Sequence, residues 1–368
     1  MGYESGTLEE LVIPTMLKRL SAFKGKRILV TGHTGFKGTW LSRTLVLAGA
    51  EVYGFALPPE LGSIYSRMND LGIRNSTFLD LRDRNEINNF FQDKQFDGIF
   101  HLAAQPLVLK SYEEPVETFE TNVMGTAHLL DSIITNEAAD WVLVITTDKV
   151  YKNIEVDEGY EEEDALGGMD PYSASKSATE MVVNAWRTVA EHKKSRLILC
   201  SARAGNVIGG GDIAKDRLVP DLIRSFYQNI PAIIRNPNSL RPWQHVLDPI
   251  SGYLRIGQQL ISKESIATAY NFGPGDESKL NVESMAKVAC SIWEGTSGYV
   301  IKSEPNPPPE SVLLWLSSER ANHDLGWKNK LDAFAAIKWT IDWERKSRET
   351  DAQTAIDSQI KDYFEGAS

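Results

Sequence analysis

The stretch that most constrains this chain is TGHTGFKG, residues 31–38, between the apolar run RILV and the segment TWLSRTLVLAGA. A short apolar strand, a glycine-rich turn and a helix, in that order, open a nucleotide-binding α/β unit. Gly32, Gly35 and Gly38 let the backbone come close to a pyrophosphate, and the positive end of the following helix attracts its charge. Three such glycines can also build a tight turn and nothing more; the strand before and the helix after them favour dinucleotide binding.

The units repeat. Strands are expected in EVYGFAL (51–57), FLDLRD (78–83), FDGIFHLAA (96–104), WVLVITTDK (141–149) and RLILCSARAG (196–205). Helices are expected over 85–94, about 114–136 and 170–193. Alternating strands and helices, with nearly continuous apolar strands, imply a parallel sheet covered on both faces. After Ala204 glycine and proline cluster in GNVIGGGD, RNPNSLRP, FGPGD and EPNPPPE, a composition of loops. Helices are expected between them at 217–229 and 281–293, and a last helix at 330–346. The predicted fold class is α/β: a Rossmann-like, doubly wound parallel sheet with a smaller, loop-rich C-terminal substrate lobe. Residues 1–24 form an extension, with a short helix around 7–20. The dinucleotide-binding domain takes 25–203 and 240–275, and the substrate lobe 204–239 and 276–368.

Net charge −11 argues against nucleic acid and against an acidic membrane surface as partners. No run approaches the roughly 18 apolar residues of a membrane span. The N-terminus lacks the basic start and apolar core of a secretory signal, and Gly6 stands where myristoylation wants Ser or Thr. Of the two cysteines, Cys200 sits inside LILC as a buried strand residue, and no CxxC occurs. None of the six histidines has metal-ligand spacing, so no metal is expected. The expected compartment is reducing and cytoplasmic.

Ligands of open α/β sheets bind beyond the carboxyl ends of the strands, where two polar segments lie. Tyr172 and Lys176 share a helix face at i and i+4, and a nearby ammonium lowers a phenol's pKa, making Tyr172 a base for a sugar hydroxyl. The fifth strand ends in Thr146, Thr147, Asp148 and Lys149, a hydroxyl, a carboxylate and an ammonium in series. Lys149 is either a working group or a structural partner of Asp148 or Glu180.

TGHTGFKG, the HLAA run at 101–104, Asn122, the hydroxyls at 146–147 and the segment YSASK resemble the extended short-chain dehydrogenase/reductase family over residues 25 to about 345. The resemblance implies a cofactor site of Gly32, Thr34, Gly35, Phe36, Lys37, Gly38, Asp80, Leu81, Leu102, Ala103, Ala104, Gln105, Asn122, Thr146, Tyr172 and Lys176. It makes Thr147 the hydroxyl partner of Tyr172, and places Asp80 and Leu81 by the adenine and Ala103 and Ala104 along the cofactor. HLAAQPLV, ITTDKVY, RAGNVIGGGD, KDRLVPD and IIRNPNSLRPWQHVL are similar to the branch that dehydrates CDP-sugars at C4 to C6. Ile213, Val150 and the segment 313–321 depart from that branch's pattern.

The resemblance then implies a nucleotide-sugar 4,6-dehydratase acting on a CDP-sugar. Tyr172 and a nicotinamide oxidise C4, Asp148 protonates the leaving C6 hydroxyl, and Lys149 handles the C5 proton. Substrate would meet Asn206, Arg217, Leu218, Arg235, Asn236, Arg241 and His245, the last equally readable as a packed imidazole. The cofactor expected is NAD; GFALPPE offers neither an acid for the ribose nor an Arg for a 2′-phosphate, so NADP stays open. Apolar residues beyond one face of the helices at 114–136 and 171–192 predict a homodimer through a four-helix bundle. Alternatives are another nucleotide-sugar dehydratase or a C4 epimerase and, outside enzymes, a dinucleotide-sensing regulator. Such a regulator would be expected to lack Tyr172 or Lys176.

Overall fold

The computed structural model describes residues 19–155, 158–302 and 313–366. The expected helix around 7–20 lies outside the described residues as far as residue 18. Seven parallel strands form the central sheet: β1 (Arg27–Thr31), β2 (Glu51–Ala56), β3 (Asn75–Phe78), β4 (Gly98–His101), β5 (Trp141–Ile145), β6 (Ile198–Ala204) and β7 (Ala269–Phe272). Their order is β7-β6-β5-β4-β1-β2-β3. In register, Ile28 of β1 pairs Val52 on one side and Gly98 on the other. The chain therefore reverses its direction of winding between β1 and β4, where such sheets open a crevice.

Strand periodicity divides the core. Ile28, Val30, Phe100 and Leu143 point to one face, with α1 (Phe36–Leu47) and α6 (Leu247–Ile261). Leu29, Ile99, Val142 and Val144 point to the other, with α2 (Arg84–Phe91), α3 (Gly125–Thr135) and α4 (Pro171–His192). A third apolar cluster joins α5 (Leu218–Gln228), α7 (Val282–Ile292) and α8 (Ala333–Glu349) through Leu222, Phe226, Met285 and Ile337. Three two-stranded ladders link this part: 207–208 with 244–245, 240–242 with 279–281, and 232–234 with 299–301.

The doubly wound parallel sheet expected from the sequence is present, and Cys200 is a buried, free strand residue. Five elements differ. The third strand ends at Phe78 instead of beginning there; Leu79 and Leu81 are buried after it, while Asp83 caps α2 by accepting from the amides of Asn85 and Glu86. The long helix at 114–136 is broken into Pro115–Phe119, a π-helical turn at Glu120–Met124, and α3. Helix α6 and strand β7 are additional, as is α9 (Ala352–Glu365), which follows the helix expected to be last. No element is expected from the sequence between RNPNSLRP and FGPGD, where α6 carries Pro249 and Gly252. Pro249 lies in its first turn, where no amide is needed, and Gly252 lets it meet Phe272, whose ring would lie 2.2 Å from an added Cβ.

Candidate active site

The glycine turn is built for close approach. Gly32 has φ +71°, and a Cβ there would fall 2.8 Å from the amide nitrogen of Ala103. A Cβ on Gly38 would stand 2.0 Å from the Gly32 carbonyl, so α1 starts directly over the turn. Gly35 precedes α1 in an extended conformation and no side chain caps the helix. Its first amides are thus available to an anion, and the turn fits a dinucleotide's pyrophosphate. The Thr31 hydroxyl accepts from the amides of Leu102 and Ala103 at 3.1 Å each and meets His101 Nδ1 at 2.7 Å. His101 Nε2 lies 3.0 Å from the Thr126 hydroxyl. Burial and the neighbouring Lys176 charge push that imidazole down to about 3, so it joins β1 to α3 as a neutral link. Its polar network carried no sequence signal beyond the HLAA run.

Around this crevice, Asp80 is held below the usual carboxylate range by Arg82, which bonds it at 2.6 Å. Leu81 packs under Gly125. Thr34 donates to the carbonyl of Leu57, just past β2, where no carboxylate stands. Leu102, Ala103 and Ala104 are half-buried at the end of β4. The Gln105 carboxamide is committed to its own loop, bonding Leu107 and Thr118. Asn122, inside the π turn, accepts from the Gln105 amide at 2.8 Å and donates to Ser175 of α4 at 2.9 Å. A π turn at a functional site is a recurrent device for aiming one side chain; here it ties the loop after β4 to the Tyr172 helix.

At the end of β5, Thr147 donates to Asp148 at 2.8 Å and also hydrogen-bonds Tyr172. Asp148 is buried, and its other oxygen lies 3.1 Å from where a Gly205 Cβ would be. Asp170 caps α4 by accepting from the Ser173 amide, with Pro171 in the first turn, which fixes Tyr172 near the helix start. The expectation of a lowered Tyr172 phenol is corrected. Burial pushes it up to about 12, Asp148 acts the same way, and Thr147 and Arg217 oppose them. The buried Lys176 ammonium is lowered to about 8 by burial, against the Glu180 charge, and donates to the Ile145 carbonyl at 3.2 Å.

Lys149 is half-buried, and its ammonium pairs with neither Asp148 nor Glu180 among the described residues. Glu180 instead pairs with Arg203. Lys37 reaches from α1 to within 3.4 Å of the Tyr253 hydroxyl; burial, Arg217 and Lys176 lower it to about 7 against the opposing Asp148 charge. Tyr253 belongs to α6, the helix the sequence reading did not recognise, and could not be found without it.

The expected substrate residues divide. Arg217 precedes α5, bonds Asp212 at 3.3 Å and acts electrostatically on both Lys37 and Tyr172. Leu218 begins α5, half-buried. Asn206 is half-buried past β6, its carbonyl accepting from Gln244. Arg241 is largely buried and donates to the Leu240 carbonyl. Arg235 pairs with Asp216 at the surface, followed by half-buried Asn236. His245 has no exposed surface: its ring lies edge-on to Trp40 and Trp339, and burial drives it down to about 3. Of the two roles open to it, the packed imidazole is the one the structure displays.

Comparison with known proteins bears on the family and the fold. The family model described as GDP-mannose 4,6 dehydratase matches residues 29–340. The chain is 42% identical over 351 residues to the CDP-glucose 4,6-dehydratase of Salmonella typhimurium, covering 93% of this chain and 97% of that one. Among solved structures, an epimerase, Mth375, of Methanothermobacter thermautotrophicus superposes with TM-score 0.77 at 21% identity, covering 93% of this chain and 98% of its own. The dTDP-glucose 4,6-dehydratase DesIV of Streptomyces venezuelae, solved with NAD bound, gives 0.75 at 21% identity, with 88% and 98% covered.

Proposed function

The chain belongs to the GDP-mannose 4,6 dehydratase family, and from that premise we propose that it is a CDP-glucose 4,6-dehydratase using NAD. The observation that carries the reading is the buried Asp148 carboxylate, bonded to the same Thr147 hydroxyl that meets Tyr172. A C4 epimerase needs no acid or base beyond Tyr172, Lys176 and Thr147; a dehydratase needs, in addition, an acid for C6 and a base for C5. The nucleotide is argued from the 42% identical relative and from the IIRNPNSLRPWQHVL segment.

The glycine turn and α1 would hold the cofactor's pyrophosphate, Asp80 and Leu81 its adenine end, and Ala103 and Ala104 its length. When bound, the nicotinamide would supply a hydride acceptor for C4 and, once reduced, a donor for C6. Tyr172 would accept the C4 hydroxyl proton as a phenolate, a form that burial disfavours and that the positive charge of the oxidised nicotinamide, with Lys176 one helical turn away, would favour, while Thr147 orients it. The C4 ketone then makes the C5 hydrogen acidic. Lys149 takes that proton, or holds the developing enolate by its charge. Asp148 gives a proton to the C6 hydroxyl, which leaves as water. Hydride return at C6 is matched by a proton returned to C5, so that C4 ends oxidised, C6 reduced, and no net redox change remains. Arg217 and Arg241 suit the substrate diphosphate, with Asn206 donating to it and Arg235 and Asn236 meeting the base.

The test is a product assay with CDP-glucose beside the UDP-, dTDP- and GDP-sugars. The expected result is a 4-keto-6-deoxy chromophore in alkali, formed fastest from CDP-glucose. A faster reaction with another nucleotide would move the proposal to that base, and product from none would overturn it.

A further inference from the structure

Behind the strand ends lies a charge pair that the proposed chemistry does not use. Glu180 and Arg203 are almost wholly buried and paired at 2.9 Å. The pairing is bidentate, with Arg203 Nε also donating to Glu180 Oε1 at 3.1 Å. A buried pair of this kind gives little net stability, because desolvation offsets the attraction. What it touches is more informative. Glu180 follows Tyr172 by eight residues and Lys176 by four, so all three share one face of α4. Its carboxylate accepts from the Thr146 hydroxyl at 2.5 Å and from Ser201 at 2.8 Å. Arg203 continues to the Tyr151 hydroxyl at 2.7 Å and the Glu162 carbonyl at 3.0 Å, and Tyr151 donates to Asn271 at 2.7 Å. One chain of polar contacts thus joins the ends of β5, β6 and β7 to the Tyr172 helix.

The groups that face Lys176 are Lys37 from α1, the neutral His101 from β4, the Ile145 carbonyl from β5, and Glu180 from its own helix. Glu180 is faced by Arg203, Ser201 and Cys200 of β6, Thr146 after β5, and Arg187 of α4. Among these, Glu180 is the anion acting on Lys176.

We propose that Glu180 is a positioning residue of the active site: from one turn behind Lys176 it holds that ammonium in its charged form and fixes the Thr146 hydroxyl, while Arg203 anchors it to β6. This rests on the proposed reading of Tyr172 and Lys176 as working groups. Burial alone would drive Lys176 below its position near 8, and the Glu180 charge is what opposes it.

The experiment measures where Lys176 loses its proton, by trace acetylation at a series of pH values and mass spectrometry of its peptide, in the parent, Glu180→Gln and Glu180→Gln/Arg203→Met. The double variant removes the cation that the single one strands. In the folded variants the midpoint is expected to fall by about one pH unit, and the alkaline limb of the dehydration rate to fall with it. An unmoved midpoint in both, or the failure of both to fold, would make the pair part of the scaffold alone and overturn the inference. The labelling needs no turnover. An inactive parent would therefore count against the proposed function, and an unmoved midpoint against Glu180.

Discussion

A lysine beside an acid is ambiguous at the residue scale, because each can serve merely as the other's counter-charge. Lys149 makes no such pair with Asp148 or Glu180 among the described residues. If it handles the C5 proton, Lys149→Met should lower product formation by about a hundredfold or more, the usual scale for a positioned acid or base. Oxidation at C4 should survive, so mixing the variant with CDP-glucose should raise nicotinamide absorbance while C5 exchange with heavy water falls. Turnover within a few-fold of the parent would reduce Lys149 to a structural role. Asp148→Asn should differ by keeping C5 exchange while losing product. Gly205→Ala should resemble it more weakly, since the added methyl would press on the Asp148 carboxylate from 3.1 Å. Much of this site was legible, because Thr147, Asp148, Tyr172 and Lys176 sit in short segments whose backbone geometry is local. Two things were not. Whether burial or a neighbouring charge governs Tyr172 depends on how tightly α4 closes on β5, and whether His245 is packed or exposed depends on Trp40 and Trp339, far away in the chain.

Among the elements, the strand–helix rhythm was legible wherever an apolar run carried its own period, and failed where long-range packing overrode punctuation. Helix α6 is the clearest instance. Its Asp248 is buried in the first turn, accepting from the Lys330 amide at 2.8 Å and the Tyr363 hydroxyl at 2.7 Å, so it holds α9 against the sheet unit. Its second oxygen has no partner among the described residues. Burial raises this carboxyl to about 7, while its hydrogen bonds and Lys330 oppose the shift. The folded state therefore keeps a proton that the unfolded chain gives up near pH 4. The stabilisation is full below that value and is lost as pH climbs to about 7. Asp248→Asn removes the titration. Its melting temperature relative to the parent should rise between about pH 4 and 7, by the equivalent of a few kcal/mol at most. Parallel curves would show that Asp248 does not titrate in this window.

In the molecule as a whole, the described residues leave an apolar patch uncovered. Val116, Phe119 and Met124, on the broken helix before α3, are exposed at 69%, 39% and 49%, and Met181 of α4 at 57%. Pro115, Val116, Phe119, Glu120, Val123 and Met124 line an open recess whose exposed surface is apolar. On the inner side of α4, Val183 is fully buried, and Val182, Trp186 and Val189 are partly buried against the sheet core. The segment before α3 thus exposes Val116, Phe119 and Met124 beside Glu120, and α4 exposes Met181 beside Asn184, Ala185 and Thr188. This mixed face, apolar chiefly on the first segment, supports the proposal of a twofold dimer in which each protomer contributes two helices to a four-helix bundle. Such an interface commonly covers roughly 800 Å² on each partner. An apolar patch facing water on one protomer would be buried twice over by symmetry, so one substitution changes two contacts. Phe119→Asp with Met181→Asp places charges where a partner would desolvate them, at a cost of several kcal/mol per dimer. Sedimentation at micromolar concentration should show a dimer for the parent and a monomer with unchanged circular dichroism for the variant. A parent that sediments as a monomer would sink the proposal. The helix that carries Met181 outward carries Tyr172 and Lys176 inward, so loosening of α4 in the monomer should lower turnover more than substrate binding.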